Sequence, residues 1–153
     1  MELKVENILK LKGVEYGLIK LSQKAYTVSD VIKYSENNIN AEEVCKTIIL
    51  KGKTTGKKHA LLLRGGNKIN FSAVKKNFEE EITIASEKDV EEAGGVEPGA
   101  VCPFLLKIPL FVDRRVLDLE KINCGSGNHL YGLEFRSKDL NRVVEYKTVD
   151  WIK

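Results

Sequence analysis

A lysine interrupts an aliphatic segment, "EEVCKTIIL", at residues 42–50. If a strand begins near Val44, the alternation of side chains puts Lys46 on an otherwise aliphatic face. That face would also carry Ile48 and Leu50. A charged ammonium group is costly to bury unless it finds a partner or reaches water. Two interpretations follow: the lysine stem packs on the sheet while its head reaches solvent, or the ammonium group points into a pocket for an anionic substrate.

Two glycine-rich segments have compositions typical of functional loops. The first, "GGVEPGAVCPF" at 94–104, is too rich in glycine and proline for regular structure, yet its apolar residues predict burial. Backbone N–H groups in a buried loop need partners, and those near Gly99 and Ala100 could form an anion-binding nest. The alternative is a tight connection that only packs on the core.

The second segment, "CGSGNHLYGLEF" at 124–135, contains the turn Gly125-Ser126-Gly127 followed by His129. A Gly-Ser-Gly sequence between strands is either an ordinary turn or a place where a ligand approaches the backbone closely. His129 is likewise either a structural residue or a functional one. The segment lacks the other residues of a P-loop or a dinucleotide fingerprint, and Ser126 does not lie in the G-x-S-x-G pattern of serine hydrolases.

The cysteine and histidine pattern argues against metal and disulfide chemistry. Three cysteines are an odd number and none forms a C-x-x-C pair, so we expect reduced thiols rather than a disulfide framework or a structural zinc site. The two histidines, His59 and His129, lie far apart and form no H-x-x-x-H pattern. The sequence therefore predicts neither a metal nor a cofactor.

The composition predicts one soluble domain. A chain of 153 residues suits a single domain over 1–153, and 42% hydrophobic with 31% charged residues suits one core under a charged surface. No apolar run approaches the roughly 18 residues needed to cross a bilayer. The N-terminal "MELKVENILKLKG" predicts an amphipathic helix rather than a signal peptide. We therefore expect a cytoplasmic protein with no membrane association.

Positive charges are unevenly distributed, although the net charge is only +3. The segment "KGKTTGKK" and a later pair supply six lysines: Lys51, Lys53, Lys57, Lys58, Lys75 and Lys76. One interpretation is a solvated hairpin tip. The other is a local patch that contacts nucleic-acid phosphates.

Hydrophobic periodicity and capping residues predict short helices mixed with short strands. Helices or helical turns are predicted at 2–12, 27–36, after Asn40, and at 73–78, 86–94 and 137–146. Strands are predicted in "YGLIKL", "KTIILKG", "HALLLRGG", "KINF", "EITIAS", "IPLFVD", "KINC", "LYGLEF" and "TVDWI". Because hairpins are mixed with single crossovers, we predict an α/β fold of mixed type rather than a regular doubly wound one.

Several of these segments, taken in order, resemble one known family. They are "KTIIL", "HALLLRGG", "EPGAVCPF", "IPLFVDRRV" and "GSGNHLYGLEF". Their order and spacing are similar to those of the YbaK/ProX superfamily of aminoacyl-tRNA deacylases, found as free-standing proteins and as editing domains inserted in bacterial prolyl-tRNA synthetases. The resemblance spans about residues 20–150. It implies a single domain with a mixed, mostly antiparallel sheet or a partly closed barrel, surrounded by helices.

The resemblance also implies roles for individual residues. The family's lysine falls on Lys46, which would hold the terminal phosphate or the ester carbonyl, and its G-x-x-x-P loop falls on Gly99 to Pro103. The N–H groups of Gly99 and Ala100 would act in catalysis with Lys46. The substrate would contact the remaining matched residues: Thr47, Pro103, Gly125, Ser126, Gly127 and His129. The six lysines would contact the tRNA acceptor stem.

The implied function is the hydrolysis of mischarged aminoacyl-tRNA, because synthetases separate near-isosteric amino acids poorly by binding alone. Alanine or cysteine on tRNA(Pro) is the expected substrate, the tRNA acceptor end is the expected partner, and prolyl-tRNA synthetase is a further candidate. Two departures from the family, Cys102 before Pro103 and a shorter turn before His129, bear on which amino acid fits. The alternatives are a non-catalytic tRNA- or synthetase-binding module of the same fold, and a small-molecule hydrolase unrelated to tRNA. The sequence leaves the oligomeric state open.

Overall fold

The computed structural model describes residues 2–94 and 100–153. Six α-helices lie in these residues: α1 (Lys4–Leu11), α2 (Val28–Tyr34), α3 (Phe71–Phe78), α4 (Glu87–Glu92), α5 (Arg114–Leu117) and α6 (Leu140–Val143). Two 3-10 turns, Ala41–Glu43 and Ser137–Asp139, complete the helical elements. Within these described ranges, no helix is both long and apolar enough to cross a membrane.

Eight strands form two sheets in the same residues: β1 (Tyr16–Lys20), β2 (Cys45–Gly52), β3 (Lys58–Arg64), β4 (Ile82–Ile84), β5 (Leu110–Asp113), β6 (Lys121–Gly125), β7 (Tyr131–Arg136) and β8 (Lys147–Val149). The smaller sheet has the order β1-β7-β6 and is antiparallel. The larger sheet, β4-β2-β3-β5-β8, is mixed because β5 runs parallel to both β3 and β8. The described strands do not close into a barrel, so the mixed α/β architecture is confirmed and the barrel alternative is not observed.

Side-chain caps explain where several helical elements begin. Thr27 accepts the Asp30 N–H at 3.1 Å and starts α2. Ser86 accepts the Asp89 N–H at 3.2 Å and starts α4, and Asn40 caps the first 3-10 turn in the same way. Each cap satisfies an N–H group that has no partner within its own helix. All three agree with the sequence prediction.

The segment "KINF" does not form the predicted strand. Ile69 makes only an isolated antiparallel bridge to Ile152. The helix α3 begins at Phe71 rather than after Ser72, because Asn70 is its N-cap and accepts a backbone N–H of the first turn at 3.3 Å. The helix α5 is also absent from the sequence prediction, and the last predicted helix is shortened to a 3-10 turn followed by α6.

The register of β2 confirms the face predicted for its lysine. Lys46 lies opposite Leu63 of β3, and Ile48 lies opposite Leu61. Because side chains alternate along a strand, Lys46 shares its face with Ile48 and Leu50. Leu50, Leu61 and Leu63 belong to one buried cluster, whereas the opposite face contributes Cys45 to the main core. Lys46 therefore lies at one end of an aliphatic face of the larger sheet.

Candidate active site

A cavity of about 410 Å³ lies where the two sheets separate. The sheets meet at a parallel bridge between Val44, just before β2, and Asn123 in β6. Beyond this bridge, β2 and β6 make no further pairing in the part of the chain that the structure describes. Aliphatic side chains form the largest group among the described lining residues, and none of the lining residues is an aspartate or a glutamate. The volume is within the range of small-ligand sites.

The edge of β2 that faces the cavity is unpaired at Thr47. The strand β4 pairs with β2 only over Leu50 to Gly52. Ile49 directs its carbonyl group away from β3, because that oxygen accepts the Ala85 N–H at 2.9 Å. Alternate residues of an antiparallel strand direct their backbone groups to the same side, so the N–H and C=O groups of Thr47 also point away from β3. These groups are available to a ligand in the cavity.

Lys46 lines the cavity beside this open edge. Burial is the main reason that the pKa of Lys46 is lowered, and the nearby charge of Lys68 lowers the pKa further. Within the described residues, the Lys46 ammonium group makes no ion pair and no hydrogen bond. The cavity wall therefore contains a lysine that no described side chain neutralises. This favours the pocket interpretation of the lysine over simple packing along the sheet.

His129 joins the loop before α2 to the turn before β7. Its ring Nδ1 lies 2.9 Å from the Ala25 carbonyl oxygen, and its own carbonyl oxygen accepts the Ala25 N–H at 3.1 Å. Since a carbonyl oxygen can only accept, this contact puts the proton on Nδ1. The Tyr26 ring packs against the imidazole in a tilted arrangement, with centroids 4.7 Å apart. His129 thus lines the cavity and holds Tyr26 and its loop in place, while its predicted contact with the substrate stays a prediction.

The Gly125-Ser126-Gly127 turn packs directly on the segment before Pro103. A side chain at Gly125 would overlap the carbonyl oxygen of Val101 and lie 2.9 Å from the carbonyl carbon of Ala100, so glycine is required there. Gly127 has a φ of +90° and donates its N–H to the Ala100 carbonyl at 2.8 Å. The Ser126 hydroxyl donates to a carbonyl in β7 at 2.7 Å. Of the three turn residues, Gly125 lines the cavity, whereas the other two fix the turn.

The G-x-x-x-P loop is only partly described. Gly99 lies outside the described residues, so its predicted role stays a prediction. Ala100 is buried and does not line the cavity, whereas Val101 does. Pro103 is buried as well and lies away from the lining. The catalytic role predicted for the Ala100 N–H and the substrate contact predicted for Pro103 also stay predictions.

The three cysteines are buried free thiols. Burial raises the pKa of Cys45 and of Cys102 to about 12. Burial also raises the pKa of Cys124 well above its ordinary value. The thiolate is the reactive form of cysteine, so these side chains are poor nucleophiles. The two that line the cavity, Cys45 and Cys124, contribute packing rather than covalent chemistry.

Three of the six lysines in the predicted tRNA patch are engaged in ion pairs. Lys51 and Lys58 both contact Asp89, at 3.2 and 3.4 Å, and Lys58 also contacts Glu92 at 2.9 Å. Lys75 pairs with a glutamate just before β4. Their charges are therefore compensated. The other three form no ion pair with any described residue: Lys53, Lys57 and Lys76.

The structure adds polar lining residues that the sequence prediction does not include: Tyr26, Ser29, Asn123 and Asn128. Asn123 is the most buried of them, with 2% exposure. It interrupts the aliphatic strand "KINC" as Lys46 interrupts "KTIIL", so the same kind of pattern could have identified it. Tyr26 directly precedes the predicted Thr27 cap, but nothing in the local pattern indicates a ring at the mouth of a cavity.

Residues 23–143 match a family model described as the aminoacyl-tRNA editing domain. The chain belongs to this family. The resemblance to the YbaK/ProX superfamily is thereby confirmed. Membership of this family implies aminoacyl-tRNA as the ligand of the domain.

Solved structures share the fold of this editing domain over nearly the whole chain. A hypothetical protein, APE2540, is 26% identical with a TM-score of 0.85, covering 98% of this chain and 99% of that chain. A protein described as a proposed trans-editing enzyme for prolyl tRNA synthetase is 16% identical with a TM-score of 0.81, covering 97% of this chain and 94% of that chain. Because the second of these structures is only 16% identical to this chain, its similarity establishes the fold alone.

Proposed function

We propose that this editing domain hydrolyses the ester that joins a wrong amino acid to the 3′-terminal ribose of a tRNA. The observation that supports the proposal most directly is Lys46, a residue of the cavity wall whose ammonium group has no described counter-ion. An aminoacyl-tRNA end brings a phosphate and an ester carbonyl to such a site. A fixed positive charge stabilises the oxygen that becomes negative in the transition state, and does so more strongly where water is excluded.

Water is the nucleophile in this mechanism. Its oxygen adds to the ester carbonyl carbon, the carbonyl oxygen gains negative charge, and the bond to the ribose oxygen then breaks as that oxygen takes up a proton. The buried thiols are protonated and the Ser126 hydroxyl is engaged with a backbone carbonyl, so neither suits covalent attack. We assign the orientation of this water to the neighbouring ribose hydroxyl of the substrate. Orientation of an already activated ester is then the main contribution of the protein.

Backbone N–H groups supply the second source of oxyanion stabilisation. The family's loop assigns this role to Gly99 and Ala100, and the tight packing of Gly125 against Ala100 supports a fixed loop at this point. The Thr47 N–H at the open edge of β2 is a further donor, because it points away from β3 beside Lys46. Donors fixed before the reaction cost no reorganisation when the charge develops.

The nucleotide end of the substrate fits the outer part of the site. Tyr26 is 47% exposed at the mouth of the cavity and packs against His129, which leaves a ring face for the terminal adenine. Gly125 has no side chain to obstruct the approach of the ribose. The better candidates for contacts to acceptor-stem phosphates are the three lysines of the patch without a described ion pair: Lys53, Lys57 and Lys76.

The aminoacyl group is expected to be small. On the resemblance alone, alanine or cysteine on tRNA(Pro) is the first choice, because the match to the prolyl-tRNA synthetase editing domain is strongest in "PFLLKIPLFVDRRV". The polar groups of the cavity wall are a separate criterion, and serine is the small side chain that tests it. Prolyl-tRNA synthetase is the corresponding candidate partner. Editing by a second, hydrolytic site is needed for such pairs because a missing methylene contributes only about 1–3 kcal/mol to discrimination by binding.

The decisive experiment measures release of the amino acid from tRNA(Pro) charged with alanine, cysteine or serine. Wild-type protein should deacylate at least one of them, Lys46→Ala should abolish the activity, and Lys68→Ala should retain it. Lys68 is the matched control, because it lies close enough to influence Lys46 but does not line the cavity. Full activity of Lys46→Ala would overturn the mechanism. Tight binding of tRNA without any turnover would instead support the non-catalytic module, and turnover of simple amino-acid esters alone would support a small-molecule hydrolase.

A further inference from the structure

Two polar atoms in the cavity wall lack hydrogen-bond partners among the described residues: Asn123 Nδ2 and Thr47 Oγ1. Both atoms are buried, and both residues line the cavity. Native proteins satisfy nearly all buried polar groups, because an unpaired amide or hydroxyl loses its hydration without compensation. The two side chains do not satisfy each other, so each is suited to bind a polar atom of a ligand.

Asn123 is the most buried polar residue of the cavity wall, and we take its position as the closed end of the cavity. It forms the bridge to Val44 where the two sheets meet. Its side chain lies beside Gly132 of β7, where an added Cβ atom would come within 3.3 Å of Asn123 Oδ1. Exposure falls from Tyr26 at the mouth, through the partly buried Lys46, to Asn123. These three residues therefore mark a path from solvent to the interior.

The order of groups in an aminoacyl-tRNA end follows the same path. With the adenine on Tyr26 and the ester at Lys46, the group that extends farthest inward is the side chain of the amino acid. No described lining residue is acidic, so the closed end suits a neutral polar side chain and disfavours a cationic one. A purely aliphatic side chain would leave the Asn123 amide unpaired.

We propose that Asn123, together with Thr47, hydrogen-bonds a side-chain hydroxyl of the amino acid, so that the site selects a seryl group over an alanyl group. The inference rests on the proposed deacylase function and deepens it by naming the class of aminoacyl group. A hydroxyl accepts from the Asn123 amide and donates to a wall oxygen such as Thr47 Oγ1. A site built to bind a hydroxyl rejects the analogue that lacks it, because its own polar groups are then left unpaired. We expect the preference of the site for a cysteinyl group to lie between its preferences for seryl and alanyl groups, since a thiol is a weak hydrogen-bond donor and acceptor.

The kinetic test compares kcat/KM for Ser-, Cys- and Ala-tRNA(Pro) with three variants. Wild-type protein should prefer serine to alanine by about tenfold or more. Asn123→Leu, which replaces the amide by an apolar group of similar size, should remove that preference by slowing serine release while alanine release changes less than about twofold. Thr47→Val should act in the same direction without a change of shape. Asn67→Leu is the matched control, because Asn67 also has a buried, unpaired Nδ2 but does not line the cavity.

A binding measurement separates this inference from the proposed function. The probes are 3′-deoxyadenosine derivatives that carry serine or alanine through a 3′-amide, which resists hydrolysis. Wild-type protein should bind the seryl probe about tenfold more tightly, and Asn123→Leu or Thr47→Val should reduce the ratio. Equal Kd values for the two probes in the wild-type protein overturn the inference, whether or not deacylation occurs. Selective binding of the seryl probe without hydrolysis of any charged tRNA would support the serine subsite and overturn the proposed deacylase function.

Discussion

The rings of Tyr26 and His129 make a tilted contact at the mouth of the cavity, with centroids 4.7 Å apart and planes inclined by 42°. The pair is fixed because His129 makes two hydrogen bonds to Ala25, one through the ring and one through the backbone. One face of Tyr26 is thereby held rigid, while about half of the side chain stays exposed. A fixed, partly exposed ring beside the proposed site for the tRNA end is suited to stack on a base.

Replacement of Tyr26 by alanine should therefore weaken binding of the tRNA end. Loss of one stacked base contributes about 1–3 kcal/mol, so we expect KM for charged tRNA to rise roughly tenfold or more. Tyr26→Phe keeps the ring and should stay within about twofold of the wild type. The readout is steady-state deacylation of charged tRNA beside hydrolysis of a simple amino-acid ester that lacks the adenine. If Tyr26→Ala slowed both substrates equally, the ring would support the loop rather than the base.

Removal of the Lys46 charge should reduce deacylation activity without reducing the thermal stability of the protein. Because burial lowers the pKa of Lys46 in the folded protein, the unfolded chain binds this proton more tightly than the folded protein does. At neutral pH the charged Lys46 therefore lowers the free energy of unfolding. This loss of stability decreases as the pH rises from the lowered pKa of the folded protein towards the higher pKa of the unfolded chain, because Lys46 then loses its proton in the folded protein first. Lys46→Met should show an unchanged Tm or one raised by about 1–3 °C. A clear fall in Tm would contradict the absence of a stabilising partner.

Much of the fold can be predicted from local sequence because its determinants are local. The caps at Thr27, Asn40 and Ser86 satisfy N–H groups within one turn, and the β2–β3 hairpin joins two adjacent apolar segments. The prediction fails at "KINF", where the alternation is real but no neighbouring strand is available beyond the bridge from Ile69 to Ile152. A strand forms only beside a neighbouring strand to which it can hydrogen-bond. The sequence of one segment does not show whether such a neighbour is present.

The site is less accessible to sequence reasoning because it depends on where strands separate. Lys46 stands out as a charge in an aliphatic segment, yet its pocket exists only because β4 and β6 both leave the edge of β2 unpaired at Thr47. The ion pairs of Lys51 and Lys58 with Asp89 join residues more than thirty positions apart. Such pairing is a tertiary feature, so a sequence pattern shows six lysines without showing which charges are compensated.

A side chain at Gly125 should disturb the loop that precedes Pro103. The Cβ atom of Gly125→Ala would overlap the Val101 carbonyl oxygen and crowd the Ala100 backbone, so the loop has to shift. Overpacking of this kind typically costs about 1–3 kcal/mol of unfolding free energy, and deacylation should fall with it. Gly17→Ala in β1 is the matched control, because nothing lies within 4 Å of its added Cβ atom. Chemical denaturation of both variants measures the difference, and equal stabilities would show that the loop is not held by this contact.

Charge removal in the lysine patch should affect tRNA binding unequally. Changing Lys53, Lys57 and Lys76 to glutamine should weaken binding, and the slope of log K against log salt should fall by about 0.9 for each phosphate contact that is lost. The same change at Lys51 or Lys58 should alter binding less, because these charges are already paired with Asp89. Filter binding at several salt concentrations provides the comparison. If the slopes of log K against log salt were equal for the wild type and all variants, the lysines would be solvent-exposed charges that do not contact tRNA.

The carboxylate of Asp89 should make the protein sensitive to acid. Hydrogen bonds from Ser86 and Lys51 are the leading causes that lower the pKa of Asp89 from 3.8 to about 2. Since the folded pKa is depressed, this contribution to stability is fully present above about pH 4 and is lost as the pH falls through about 2. Asp89→Asn should therefore lower Tm by about 2–4 °C at pH 7 and flatten the loss of Tm between pH 4 and pH 2. Glu92→Gln, which removes only an exposed pairing with Lys58, should leave the acid transition close to that of the wild type. An unchanged acid transition in Asp89→Asn would show that α4 is held to the hairpin by packing rather than by these charges.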